Sequence, residues 1–318
     1  MGTAIDWRMT SPAVFQAPAP AAHGLGWRDA LVALAVVAVW GTNFVVIRFA
    51  LGELPPLLFA ALRFTFAALP GVFLIRRPKV RWRELAAYGV LIGAGQFGVL
   101  YIAMKGHISP GLASLVVQSQ VFFTIGLSMW RAGERLRPFQ WAALALAVAG
   151  FAVIIGHAQG ATTPLGVGLV LIAGASWAGG NMVARAAPGA NMLAYVIWAS
   201  LFSAPPLFVL SLVFEGPHAI REGLAHASAA TWAAVLWQSL GNTIFGYAAW
   251  GWLLARHPAA TVTPMALLVP VFGIAASAWL LAEPLPAWKI IAAALVLGGL
   301  ALNVFWPMLR ARAVAVAA

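Results

Sequence analysis

The sequence contains no cysteine and only eight acidic residues in 318. The first absence excludes disulfides, thiolate metal sites and a cysteine nucleophile in one step. The second is sharper once positions are considered. Asp6, Asp29, Glu53, Glu84, Glu134, Glu215, Glu222 and Glu283 all fall between long apolar runs or at their ends. Ion-coupled pumps commonly carry protons on carboxylates within the membrane, and no apolar run here holds one. His107, His157 and His257 sit at the edges of runs as well. Charged residues make up 8% of the chain and hydrophobic ones 63%, whereas soluble domains are about 25% charged. A soluble fold is excluded.

Catalytic signatures are missing too. There is no G-x-S-x-G, no H-E-x-x-H and no deep histidine, and Ser176 in "GASWAGG" lacks a candidate base. An intramembrane enzyme is therefore disfavoured, and neither a cofactor nor a metal site is expected. The net charge of +11 does not point to nucleic acid, because most Lys and Arg lie in short connections between apolar segments.

What is present is a series of runs long enough to cross about 30 Å of hydrocarbon, which takes about 20 residues each. Dividing the chain at its charges, prolines and glycines gives ten candidate transmembrane helices, at 29–51, 56–75, 85–104, 111–131, 138–156, 164–184, 191–214, 231–254, 259–281 and 287–308. The fold class is thus an all-α integral membrane protein. The longest connection, "EGPHAIREGLAHASAA" after residue 214, has room for an interfacial helix. Residues 1–27, rich in Ala and Pro, lack the apolar core of a signal peptide and read as a disordered cytoplasmic tail. Asp6 breaks the myristoylation pattern.

Placing the amino terminus inside puts Arg8, Arg28, Arg76, Arg77, Lys79, Arg81, Arg83, Arg131, Arg135, Arg137, Arg185, Arg256, Arg310 and Arg312 on the cytoplasmic face. Lys105, Arg221 and Lys289 fall on the other, with Arg48 and Arg63 inside spans. One missed span would reverse every later loop, so this asymmetry supports ten spans with both termini cytoplasmic. The chain also repeats itself. Trp40 precedes Arg48 by eight residues with Asn43 between, and Trp177 precedes Arg185 by eight with Asn181 between. "GERL" with Glu134 follows the fourth span, and "AEPL" with Glu283 follows the ninth. Five spans appear twice, and because five is odd the copies are inverted. The expected division is a first repeat over 28–157, a second over 158–309 and a short cytoplasmic tail at 310–318.

The stretches "AVWGTNFVVIRFAL", "PPLLFAALRF", "GLASLVVQSQVFFT", "GERLRP", "GASWAGGN" and "LLVPVFG" together resemble the EamA branch of the drug/metabolite transporter superfamily. Within it they are most similar to bacterial exporters of O-acetylserine and cysteine. The resemblance runs from about residue 29 to the carboxy end. It implies ten helices in two inverted five-helix repeats, a bacterial inner-membrane location, and a central cavity lined by spans 1, 3, 4, 6, 8 and 9. Export of another metabolite or of a drug is the alternative within the same superfamily.

Candidate substrate contacts follow from depth. Asn43, Gln96, Gln118, Gln120, Asn242 and Thr243 lie near the middle of spans 1, 3, 4 and 8. Buried without partners each would cost about 1–3 kcal/mol, so they must meet one another, water or ligand. Gln118 and Gln120 stand about 200° apart on a helix, so both cannot face one cavity squarely. Arg63 lies about 10 Å into its span with no acid on its own helix, and a substrate carboxylate or an interhelical carbonyl are its candidate partners. Its counterpart in the second repeat is near Trp198. Arg48 is close to a membrane surface, with Glu53 nearby in sequence. Trp40, Trp177 and Tyr101 either shape the cavity or pack between helices, as do Tyr247 and Trp250. Pro264 and Pro270 free helix carbonyls near the midplane, and Glu134 and Glu283 are placed to cap helices or pair with Arg. These residues together suggest an exporter of small polar or zwitterionic metabolites, uncoupled from protons, embedded in the lipid bilayer. Monomer and homodimer remain equally open.

Overall fold

The computed structural model describes residues 25–317 except 133–135, 186 and 188. Most of the expected amino-terminal tail, and Glu134, thus lie outside the described residues. All regular structure among the described residues is helical. The helices are α1 (Trp27–Ala50), α2 (Pro56–Leu74), α3 (Trp82–Met104), α4 (Pro110–Arg131), α5 (Pro138–Gly156), α6 (Pro164–Ala184) and α7 (Met192–Phe214). They continue with the short α8 (Gly216–His226), α9 (229–256), α10 (Thr263–Leu280) and α11 (Ala287–Ala317).

Nine of the described helices are long and apolar enough to cross a membrane. The remaining candidate, α9, is helical throughout, but Gln238, Ser239, Asn242 and Thr243 interrupt its apolar sequence. α8 occupies the long connection in which a helix was expected. α11 continues without interruption through Ala317, so the described residues of the carboxy-terminal segment expected at 310–318 are helical. The Ala-rich sequence of those residues favours continued winding.

Local chemistry sets the helix starts. Proline opens α2, α4, α5 and α6, where its missing N–H is no loss. Thr163, Asn191 and Ser228 accept hydrogen bonds from first-turn amides of α6, α7 and α9. Three helices leave ordinary α winding near their middles. α3 and α9 carry π-helical segments at Leu91–Gly98 and Trp237–Phe245, and α4 has a 3₁₀ turn at Val117–Ser119. α10 begins as 3₁₀ at Thr263–Leu267, where Pro264 stands, and Pro270 follows inside its α-helical part.

The most extensive helix pairs are α3 with α6, α5 with α11, α2 with α7, α4 with α6, and α1 with α10. Lipid tails are as apolar as leucine, so these contacts depend on close packing more than on burial from water. Glycines permit it. A Cβ on Gly41 of α1 would lie 2.5 Å from the Val269 carbonyl oxygen of α10, and one on Gly299 of α11 would lie 2.5 Å from the Ala143 carbonyl of α5.

Carboxylates staple one end of the bundle. Glu215 accepts from the amides of Leu57 and Leu58 at 2.6 and 3.1 Å, holding the end of α7 to the start of α2. Glu283 accepts from Ser109 Oγ, from the Gly111 amide and from Lys289 Nζ, joining α10, α4 and α11. Glu53 accepts from the Ser228 amide at 2.7 Å. Glu53 thus serves a helix start, whose exposed amides and dipole favour a carboxylate. That amide bond holds Glu53 below its ordinary value, so the cap is made at neutral pH and is lost as pH falls through the lowered value. The arginine-rich connections lie at the opposite end.

Because Gly41 has no room for a side chain against the α10 backbone, Gly41→Ala should destabilise the protein by about 1–3 kcal/mol through overpacking. Thermal unfolding in detergent should show a clearly lower midpoint. An unchanged midpoint would mean that α1 and α10 can separate at no cost.

Candidate functional site

Arg63 projects from α2 into the interior, 1% exposed. A guanidinium does not deprotonate there, so the charge must be accommodated. Nη1 donates to Tyr101 Oη of α3 at 3.0 Å. Nη2 donates to Asn242 Oδ1 and Thr243 Oγ1 of α9, at 2.8 and 3.2 Å. The Phe97 ring lies over the guanidinium, 3.7 Å from ring centroid to Cζ, and Phe64 stands at 5.3 Å. Nε has no hydrogen-bond partner among the described residues.

A second tier fixes those partners. Tyr101 Oη donates to Gln238 Oε1 at 3.1 Å, and Gln238 Nε2 donates to Asn43 Oδ1 of α1 at 2.6 Å. Thr243 Oγ1 donates to the Gln238 carbonyl, Ser239 Oγ to the Arg63 carbonyl, and Trp40 Nε1 to the Asn242 carbonyl. Four helices therefore meet at one cation. The π winding of α9 is what presents Gln238, Asn242 and Thr243 together, at i, i+4 and i+5.

The electrostatics are one-sided. Every hydrogen-bond partner of Arg63 is neutral, and the ion pairs found among the described residues are Arg81–Glu84, His218–Glu222, His257–Asp29 and Lys289–Glu283, all at helix ends or in connections. Taking an ion out of water costs several kcal/mol even after relaxation. Hydrogen bonds to a charged group return about 1.5–3 kcal/mol each, and a desolvated cation–π contact about 2. The cation is held, yet its charge is not neutralised. The site is disposed toward an anion.

Of the residues singled out by sequence, Asn43, Arg63, Tyr101, Asn242, Thr243 and Trp40 are brought together. Gln96 is adjacent to Phe97 and buried, with Oε1 unpartnered among the described residues. Gln118 is buried in the 3₁₀ turn of α4, and its side chain makes no hydrogen bond among the described residues. Gln120 belongs elsewhere, because its Oε1 accepts from Asn181 of α6 at 3.1 Å and from Thr124. Trp177 is half-buried and packs against the apolar core. Trp198, near the position equivalent to Arg63 in the second repeat, donates to the Ile75 carbonyl. Sequence reasoning missed Gln238, Ser239 and Phe97. Gln238 was within reach of it, since a residue four before Asn242 shares its helix face.

Burial divides α4 in two. Residues 110–119 are all buried, whereas 120–131, toward the arginine-rich end, are half-buried or exposed apart from Thr124.

Residues 27–156 and 164–305 match the EamA-like transporter family. Relatives from Salmonella typhimurium (strain LT2) and Escherichia coli (strain K12) are each 40% identical over 284 residues, covering 87% of this chain and 95% of theirs. Both are called a "Probable amino-acid metabolite efflux pump". A protein of Streptantibioticus cattleyicolor, called a "Probable terminal-alkyne amino-acid exporter", is 27% identical over 277 residues, covering 84% of this chain and 90% of its own. A crystal structure with 20% sequence identity shares the fold at a TM-score of 0.58, covering 86% of this chain and 96% of that one.

The Asn43–Gln238 bond links α1 to the tier around Arg63, so Asn43→Ala and Gln238→Ala should each destabilise by about 1–3 kcal/mol by leaving a buried partner unpaired. Together they should cost less than the sum, with a coupling of at least about 0.5 kcal/mol. A double-mutant cycle on thermal unfolding measures this, and strict additivity would mean the two amides do not interact.

Proposed function

The chain belongs to the EamA-like transporter family, and on that premise we propose that it exports small zwitterionic amino-acid metabolites by alternating access, without proton coupling. The observation that carries this reading is the Arg63 cation, buried among neutral acceptors and rings, with an unpartnered Nε and no carboxylate among its described partners. A substrate carboxylate supplies the missing charge, and Arg is suited to it because its fork matches carboxylate geometry. Gln96, whose Oε1 lacks a partner, supplies an acceptor for an ammonium group. O-acetylserine and cysteine carry both groups and are the substrates we put first.

The architecture we assign is ten spans in two inverted repeats, with α9 as the eighth span. Packing supports it. Exchanging the repeats maps the α1–α10 pair onto α6–α4, and both are among the most extensive contacts. The π segments of α3 and α9 correspond, as do the 3₁₀ segments of α4 and α10. Gly95, Gln96 and Tyr101 in α3 are spaced as Gly241, Asn242 and Tyr247 in α9. With the arginine-rich end cytoplasmic, both termini lie inside a bacterial inner membrane, and the carboxylate-stapled end is the periplasmic closure.

Uncoupled transport follows from where the acids are. Asp29, Glu53, Glu84, Glu215, Glu222 and Glu283 all hold helix starts or ion pairs at the bundle's ends. A zwitterion crossing alone moves no net charge, so neither a pH difference nor a membrane potential should drive it.

In proteoliposomes, O-acetylserine should exchange by counterflow and equilibrate at a rate little changed by proton gradients of either sign. Arg63→Ala should lower that rate at least tenfold in protein that still inserts. Accumulation that requires a proton gradient and collapses with an uncoupler would refute uncoupled transport, and wild-type flux in Arg63→Ala would remove the carboxylate site.

A further inference from the structure

A second polar cluster lies outside the Arg63 network and shares no residue with it. It runs along the interface of α4 and α6, from mid-helix toward the arginine-rich end. Asn181 Nδ2 donates to Gln120 Oε1 at 3.1 Å, and Thr124 Oγ1 donates to the same oxygen at 3.4 Å. One turn further, Ser128 Oγ contacts Met182 Sδ at 3.3 Å and accepts from Arg185 Nη1 at 2.8 Å. Gln120, Thr124 and Ser128 recur every four residues, so they form one stripe about 12 Å long.

Interhelical glue accounts for part of this ladder but not for its remaining valences. Among the described residues Gln120 Nε2 donates to no acceptor, Asn181 Oδ1 accepts from no donor and Arg185 forms no ion pair. Gln120, Ser128 and Asn181 are half-buried and Arg185 is exposed, while α4 beyond residue 120 toward the stapled end is closed over all of 110–119. Half-buried amides within a membrane span cannot be satisfied by lipid, so this face of α4 and α6 must meet water or solute. The vacant donor and acceptor are neighbours. A carboxylate needs the one and an ammonium the other.

We propose that Gln120 and Asn181 form a loading station for a zwitterionic solute, distinct from Arg63, which the solute reaches from the arginine-rich side past Arg185 and Ser128. The inference rests on the transport reading above and adds a site to it. Arg185 draws the carboxylate by charge at the mouth, and the two amides orient it before it reaches Arg63. Loading from that side is what an exporter requires.

The absence of cysteine makes the test direct. Single replacements Thr124→Cys and Ser128→Cys are introduced, with Ser114→Cys in the closed half as reference, and each is exposed to a membrane-impermeant thiol reagent from either face in oriented vesicles. Ser128→Cys, half-buried, should react from the arginine-rich face at least tenfold faster than Ser114→Cys, with the buried Thr124→Cys intermediate between them. O-acetyl-L-serine should slow labelling of Ser128→Cys at least threefold. Arg185→Ala in that background should raise the half-protecting concentration at least tenfold, with Arg185→Lys restoring most of it. Labelling from the other face only, or no protection by the solute in both stripe variants, overturns the station. Counterflow in the same vesicles separates this from the parent reading: flux without protection sinks the station alone, and protection without flux sinks transport while supporting the station.

Discussion

An arginine that cannot lose its proton, enclosed by apolar helices, sets the terms for the middle of this protein. Arg63 must be met by hydrogen-bond acceptors that reach a point within α2, and no single neighbour supplies enough of them. Tyr101 comes from α3 and Asn242 and Thr243 from α9, with Gln238 and Asn43 holding them in place. Losing any one leaves a buried polar atom exposed to hydrocarbon, so the four helices are tied in register by one charge. The Phe97 ring closes the remaining face where no acceptor is available.

That demand also explains the departures from α winding. In α9 the π segment gathers two carboxamides and one hydroxyl within six residues, Asn242 and Thr243 on the cation and Gln238 on its Tyr101 partner, and Thr243 Oγ1 bonds the Gln238 carbonyl that the wider turn leaves accessible. The π segment of α3 stands opposite and delivers Phe97 from within it and Tyr101 just after it. Both distortions therefore abut the same side chain. A π bulge at a functional position is a recurrent pairing, and the partner here is identifiable.

The helices and their order were legible in the sequence because apolar length and prolines govern them, and both are local. Arg63, Asn43, Tyr101, Asn242 and Thr243 were legible as candidates because polarity at depth is costly wherever it occurs. Their partition into two clusters was not. Gln120 and Asn242 look alike by depth and chemistry, but helix packing places one against α6 and the other against α2. Gln238 and Phe97 escaped notice for the same reason, since their role depends on a winding that no residue pattern announces. The landmark pair Asn43 and Asn181 shows the same effect of winding. One follows its tryptophan by three residues and the other by four, about 100° further round the helix, and the two amides enter different networks.

Acid placement completes the physical picture. Carboxylates are absent from the spans, where one would neutralise Arg63 and occupy the position available to an anionic group. At one end Glu53, Glu215 and Glu283 satisfy the bare amides of α9, α2 and α4. Each bond joins elements far apart in sequence, so that end is held shut by helix starts rather than by bulky side chains. No equivalent set of staples is found among the described residues at the arginine-rich end, where half of α4 is open to its surroundings. The scarcity of acids that leaves the chain strongly positive also leaves the charge of Arg63 unmatched, while Glu53, Glu215 and Glu283, by where they stand, hold one end together.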